Sequence, residues 1–267
     1  KGRETKNKKN NLMNLLLSGY YICLRMWKKL YYRPIHLVFS FVQPLFWLTI
    51  FGFLFEKKIF TEGGDYLSYL LPGICAMTVL QSSSQSGILY IKDFQTDFFG
   101  RYNFTPLSKT LALFFKIFAD YTRIIIQVFL LIAIGYVIGI SDLYISFEGI
   151  FKLILATFLF TFFYASIACF IALKTKTSEL MATFVNLFNL PVIFTSTALI
   201  PNKGLPIWLE NIAKYNPLSH LSDILRKSIV HADFNSGIAG NSFLILAVLA
   251  IVCFTATSLY INKIRYD

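Results

Sequence analysis

The 267-residue chain carries 25 Lys+Arg against 14 Asp+Glu, a net charge of +11, with 56% hydrophobic and only 15% charged residues. Soluble domains average about 25% charged residues, so this composition excludes a disordered chain, a basic nucleic-acid-binding protein and an ordinary water-soluble enzyme. The four cysteines form no C-x-x-C pair, which points to neither a zinc knuckle nor a disulfide framework, and no metal site is expected.

Residues 1–11 are polar and basic. From Leu12 to Tyr32, Leu12, Leu16, Tyr20, Cys23, Trp27 and Leu30 recur on one helical side, with Arg25, Lys28 and Lys29 mostly away from it. Cations in the apolar stretch argue against a signal peptide. The expectation is an amphipathic helix lying in the cytoplasmic interface, stopped by Pro34.

A bilayer core of about 30 Å takes roughly 20 apolar residues. Six windows meet or approach that length: Ile35–Phe55, Leu67–Ile91, Tyr121–Ile140, Ile150–Leu173, Met181–Ile200 and Ser242–Ile261. Each should be helical, because hydrocarbon cannot satisfy an open backbone. Residues 1–34 thus read as a tail plus interface helix, and 35–267 as an all-α, six-span membrane domain. One set of alternate connections and tails holds 18 Lys/Arg, the other 7. Both termini are therefore expected on the cytoplasmic (or stromal) side.

Span two contains Gln81-Ser82-Ser83-Ser84-Gln85-Ser86-Gly87. Amides at membrane depth must face protein or water. Gln81, Ser84 and Gln85 therefore either line a substrate path or serve small-residue helix packing, and the pattern leaves both open. Asn186 and Asn189 in span five pose the same question, with packing preferred.

The connection 92–109 is too polar to span and too aromatic for a plain linker. Phe94, Phe98 and Phe99 with Asp93, Asp97 and Arg101 suit a short amphipathic helix, stopped at Thr105-Pro106 and followed by Ser108 as a cap. Such a helix fits a groove on a partner protein, or else rests on the membrane surface. Next to span three, Lys116, Asp120 and Arg123 share a helix face and can pair with one another. They read as a self-neutralised helix end at the headgroups, with a force-transmitting ion pair as the alternative. No carboxylate is expected inside a span, which argues against a proton-coupled carrier.

The outer connection 201–241 is cut by Pro201, Pro206 and Pro217. Its apolar pieces around Trp208 and over Leu218–Val230 are too short or too charged to cross. Re-entrant or interface-lying helices are expected, with Trp208 and Tyr215 at the headgroups. The sequence carries no G-x-x-x-x-G-K-[ST], so no P-loop is present, nor H-E-x-x-H, G-x-S-x-G or a dinucleotide fingerprint.

Four stretches, in order, resemble the permease subunits of ABC-2 type exporters, the group of daunorubicin-efflux permeases and polysaccharide exporters. They are Gln43-Pro44-Leu45-Phe46-Trp47; Leu70-Leu71-Pro72-Gly73; Lys92-Asp93 through Thr105-Pro106-Leu107-Ser108-Lys109; and Leu205-Pro206-Ile207-Trp208-Leu209 with Asn216-Pro217-Leu218 and Asp223-Ile224-Leu225-Arg226. The resemblance implies a homodimer or heterodimer of permeases bound to two ATP-binding subunits, with ATP and Mg2+ in the partner and no cofactor in this chain. It implies ATPase coupling through Asp93, Phe94, Asp97, Phe98, Phe99, Arg101 and Pro106, and an outer re-entrant motif of Pro206, Trp208, Asn216, Pro217, Asp223 and Arg226. One departure is that Gln95-Thr96-Asp97 and Gly100-Arg101-Tyr102 stand where relatives often carry an acidic-glycine step. The function so implied is ATP-driven export of an amphipathic or lipid-linked substrate, in a bacterial plasma membrane or a plastid membrane. A membrane scaffold or assembly factor, or a secondary carrier, is the alternative.

Overall fold

The computed structural model describes residues 34–55, 66–95, 108–140, 143–201, 206–230 and 241–263, with Gly19, Tyr21, Leu24, Trp27, Lys28 and Tyr32. Among these every regular element is α-helical: α1 (Pro34–Phe55), α2 (Tyr66–Gln95), α3 (Lys109–Ile138), α4 (Phe147–Thr175), α5 (Ser178–Phe194), α6 (Ile207–Tyr215), α7 (Pro217–Ile229) and α8 (Ser242–Lys263). The six described residues within 12–33 are helical too. A Cβ added at Gly19 would lie 2.4 Å from the Phe115 ring, so this segment rests directly on α3.

Among the described residues three helices, α3, α4 and α8, are long and apolar enough to cross a membrane, and Phe41–Gly52 and Ser178–Phe194 are shorter apolar helices. α2 spans 30 residues, yet its Gln and Ser run interrupts its apolar character. One boundary follows the sequence expectation and one departs from it. α3 begins at Lys109, because the Ser108 hydroxyl caps it by accepting from the Leu111 amide at 3.3 Å. Lys116 and Asp120 thus lie within α3, on the shared helix face the sequence implied. α5 ends at Phe194, not Ile200. Pro191 lacks an amide donor for the ladder, and the chain from Thr195 to Ile200 folds into turns and bends.

α2 and α4 form the centre. α2 packs against α1, α3, α4, α5 and α7, while α4 packs against α3, α5, α7 and α8. The core between them includes Leu70, Ile74, Leu80, Ala156, Phe160 and Ala165. Helix ends gather on two faces of the bundle. At one, Tyr144 donates to the Ile229 carbonyl at 3.0 Å, and Tyr66 and Tyr69 of α2 reach the 195–200 turn. At the other, Thr110 of α3 bonds Ser258 of α8 at 2.8 Å.

α7 is buried nearly all round, between α2, α4 and α8. α6 differs. Its Ile207, Trp208, Ile212 and Tyr215 are exposed, and Glu210 pairs with Lys214 along its flank at 3.1 Å.

Candidate functional site

Three polar assemblies lie on or against α2. The first closes the turn after α5. Asn216 caps α7 by accepting from the Leu218 amide at 2.9 Å, and Pro217 takes the first helical position, where no amide donor is required. The Asn216 amide donates to the Val192 carbonyl at 2.8 Å and to the Thr195 hydroxyl at 3.0 Å. One side chain thus starts α7 and finishes α5.

Three turns on, the Arg226 guanidinium, 2% exposed, lies 3.7 Å from the Tyr69 ring centroid. Its Nη2 donates to the carbonyls of Thr197 and of Ala198 (3.2 Å), and its Nε to the Tyr69 carbonyl at 3.3 Å. The Tyr69 and Tyr66 hydroxyls donate to the Thr197 and Leu199 carbonyls at 2.7 and 3.0 Å, and the Ser219 hydroxyl accepts from the Thr197 amide at 3.1 Å. Irregular backbone within a membrane domain must be satisfied by protein, and these residues supply the donors. Gly73 permits the close approach: a Cβ there would sit 1.8 Å from the Ala198 carbonyl oxygen.

Of the expected outer motif, Asn216, Pro217 and Arg226 come together. Asp223 sits one turn before Arg226 on buried α7 and pairs with Lys227 at 2.9 Å. Pro206 and Trp208 stand apart, exposed on and before α6. His220 of α7 places Nδ1 3.0 Å from the Ser242 hydroxyl, and burial holds its imidazole below the ordinary value.

The second assembly is the polar run of α2. Neighbours on a helix are turned by about 100°, so the run fans out. Gln81 donates to Gln43 of α1 at 3.1 Å, Ser82 donates to Gln127 of α3 at 2.9 Å, and Ser84 donates to Asn189 of α5 at 3.0 Å. Tyr164 of α4 shares the same Asn189 oxygen at 3.0 Å. Ser84 is therefore engaged in interhelical packing, whereas Gln85 is exposed and Gln81 half-buried on the α1 side. At i, i+3 and i+4 the three lie on one side of α2, and only Ser84 is fully covered there. Gln127 and Tyr164 were missed in the sequence. Their signal was a lone polar group in an apolar window, which has to find a partner.

The third assembly corrects an expectation. Lys116, 6% exposed, does not pair along its own helix but donates to Asp93 of α2 at 3.0 Å. Asp120 is fully buried, and neither carboxylate oxygen has a hydrogen-bond partner. Arg123 reaches across to the Ser82 carbonyl at 3.4 Å. The charges are not an exposed, self-neutralised helix end, and a buried carboxylate does lie within a helix long enough to span. The local rule compares only residues one turn apart, whereas Asp93 arrives from another helix. Asp97, Phe98, Phe99, Arg101 and Pro106 lie outside the described residues, and of Phe94 only the helical backbone is described.

The family described as ABC-2 type transporter matches residues 19–230, from the segment beneath α3 to the end of α7. The chain belongs to the ABC-2 type transporter family. This ABC-2 permease is 32% identical over 250 residues to the transport permease ycf38 of Cyanophora paradoxa, covering 86% of this chain and 84% of that one. It is 31% identical to ycf38 of Porphyra purpurea, covering 79% and 73%. It is 22% identical to the daunorubicin resistance ABC transporter permease protein DrrB1 of Streptomyces coeruleorubidus, covering 73% and 68%. The matched span of this ABC-2 permease includes all three polar assemblies.

Proposed function

We propose that this ABC-2 permease is the membrane subunit of an ATP-driven exporter for an amphipathic or lipid-linked substrate. The observation that carries the reading is family membership over residues 19–230 in a sequence with no P-loop of its own. In this reading energy enters from an ATP-binding subunit, which shifts the permease only by binding its conformations unequally. Six spans, α1 to α5 and α8, carry both termini to the cytoplasmic or stromal side, with α6 and α7 as outer re-entrant elements. Two permeases form the path, homodimeric or heterodimeric, within surrounding lipid.

The chain leaving α2 at Gln95 enters the segment read as the coupling helix, and Asp93 ties the end of α2 to α3. Asp93, Phe94, Asp97, Phe98, Phe99, Arg101 and Pro106 are its proposed coupling residues. Gln81 and Gln85, on the less covered side of α2, are the better candidates for a path than buried Ser84. Efflux is supported by similarity to a daunorubicin resistance permease, and relatives from Cyanophora, Porphyra and Streptomyces suit a plastid or a bacterial membrane.

The test is gentle purification of the tagged full chain from its own membrane. A co-purifying P-loop subunit with ATPase activity supports the reading; a chain that emerges without one overturns it. Buried Asp120 lends support to one second reading, a proton-coupled carrier. A protonophore that abolishes transport while ATP is maintained would decide for the carrier.

A further inference from the structure

α3 carries two cations and one carboxylate on a single face, Lys116, Asp120 and Arg123, spaced four and three residues apart. Both cations reach away from that carboxylate to α2, Lys116 to Asp93 at 3.0 Å and Arg123 to the Ser82 carbonyl at 3.4 Å. Asp120, fully buried between them, keeps two carboxylate oxygens without a hydrogen-bond partner. Leaving a buried carboxylate unpaired costs several kcal/mol, so an arrangement that bonds it competes closely with the one observed.

Lys116 is the group able to switch. Asp120 is one helical turn along α3 from it, within reach of a lysine's four-carbon stem. Elsewhere this chain forms such i,i+4 pairs, Glu148–Lys152 at 2.6 Å, Glu210–Lys214 at 3.1 Å and Asp223–Lys227 at 2.9 Å. In all three the acid precedes the base, the favoured order. Lys116–Asp120 has the weaker, reversed order, and Asp93 holds the ammonium. Among the described residues the other titratable groups facing this cluster are Tyr90 of α2, whose ring centroid lies 6.0 Å from Lys116 Nζ, and Cys169 of α4, within Coulombic reach of Lys116 and Asp120.

We propose that Asp120 is a positioning residue for coupling, an unpartnered carboxylate that competes with Asp93 for Lys116. Displacing the end of α2 moves the Lys116 ammonium one turn along α3 and releases the α2–α3 cross-link. Two discrete partners for one buried cation make the contact bistable, as sliding helices require. The inference rests on the exporter reading for what displaces α2, whereas the competition itself belongs to this chain.

Hydrogen exchange over residues 86–93 in the full chain, in lipid nanodiscs, reads the opening equilibrium of the α2 end. Asp120→Asn removes the competitor and should slow exchange there about fivefold or more, with α8 unchanged. Asp120→Glu should restore the wild-type rate. With the co-purified ATPase, a non-hydrolysable ATP analogue should speed exchange at 86–93 in the wild type and fail to do so in Asp120→Asn. Unchanged exchange in Asp120→Asn overturns the proposal, as does slowing spread evenly through α8, which marks only relief of a buried charge. A nucleotide response undiminished in Asp120→Asn overturns it and leaves the exporter reading standing. A wild type that answers no nucleotide sinks the exporter reading and the coupling role, and exchange in the chain alone still decides whether Asp120 competes.

Discussion

Replacing Arg226 by alanine removes, in one step, the donors for the carbonyls of Tyr69, Thr197 and Ala198 and the cation over the Tyr69 ring. A hydrogen bond from a charged group is worth about 1.5–3 kcal/mol, and a desolvated cation–π contact about 2 kcal/mol. Against this stands the cost of burying a guanidinium whose Nη1 has no partner, and water can enter the space left behind. The net loss should match that of breaking a buried charged contact, about 3–5 kcal/mol. Tyr69→Phe keeps the ring and removes only the hydroxyl bond to Thr197, a loss of about 1 kcal/mol. At about 2–4 °C per kcal/mol for a chain of this size, Arg226→Ala should lower Tm in detergent by about ten degrees and Tyr69→Phe by a few. Thermal unfolding followed by tryptophan fluorescence, on both variants in one detergent, gives the comparison. An Arg226→Ala chain as stable as Tyr69→Phe would refute the view that Arg226 holds the 195–200 turn.

Gly73→Ala sets a Cβ against the Ala198 carbonyl oxygen at 1.8 Å, so it should cost about 1–3 kcal/mol as overpacking, read in the same melts. Gly139 ends α3 in the left-handed conformation (φ +87°), its amide bonding back to the Gly135 and Tyr136 carbonyls; Gly139→Ala meets open space but should still cost about 1 kcal/mol, and no loss of Tm would refute that role. Changing Phe98 and Phe99 together to alanine should uncouple ATP hydrolysis from transport in vesicles and leave the melting curve unchanged, and intact coupling would sink their docking role. Cysteines placed at Asn202 and Lys109 should react with an impermeant thiol reagent from opposite sides of the membrane; labelling from one side would overturn the topology.

Helix starts were legible where chemistry is local. Ser108 could be read as a cap because Ser at that position and an amide three residues on are neighbours in sequence. Pro191 announced an interruption, but the sequence expectation carried the span on to Ile200, since apolar composition continues after the backbone pattern has changed. The resemblance singled out Asn216, Pro217 and Arg226 without saying what they hold. Asn216 and Arg226 bond the carbonyls of Tyr69, Val192, Thr197 and Ala198, and backbone groups leave no mark in side-chain patterns. For Lys116, local spacing suggested Asp120, while the chosen partner lies 23 residues back on α2. Pairings between helices depend on rotation and depth, which periodicity alone does not set.

The turn after α5 also constrains the order in which the protein can be assembled. Its polar groups are satisfied from behind by Tyr66 and Tyr69, already made, and from ahead by Asn216, Ser219 and Arg226, which lie 21 to 29 residues farther along the chain. With α5 as one of the six proposed spans, it emerges during synthesis with its terminal peptide groups bare, and lipid offers them no donor. The end of α5 must therefore wait, in water or inside the insertion machinery, until α7 has been translated and folded against α2. On that topology residues 178–229 should enter the membrane domain together, and a ribosome paused between Phe194 and Asn216 would hold a helix that the bilayer cannot yet accept.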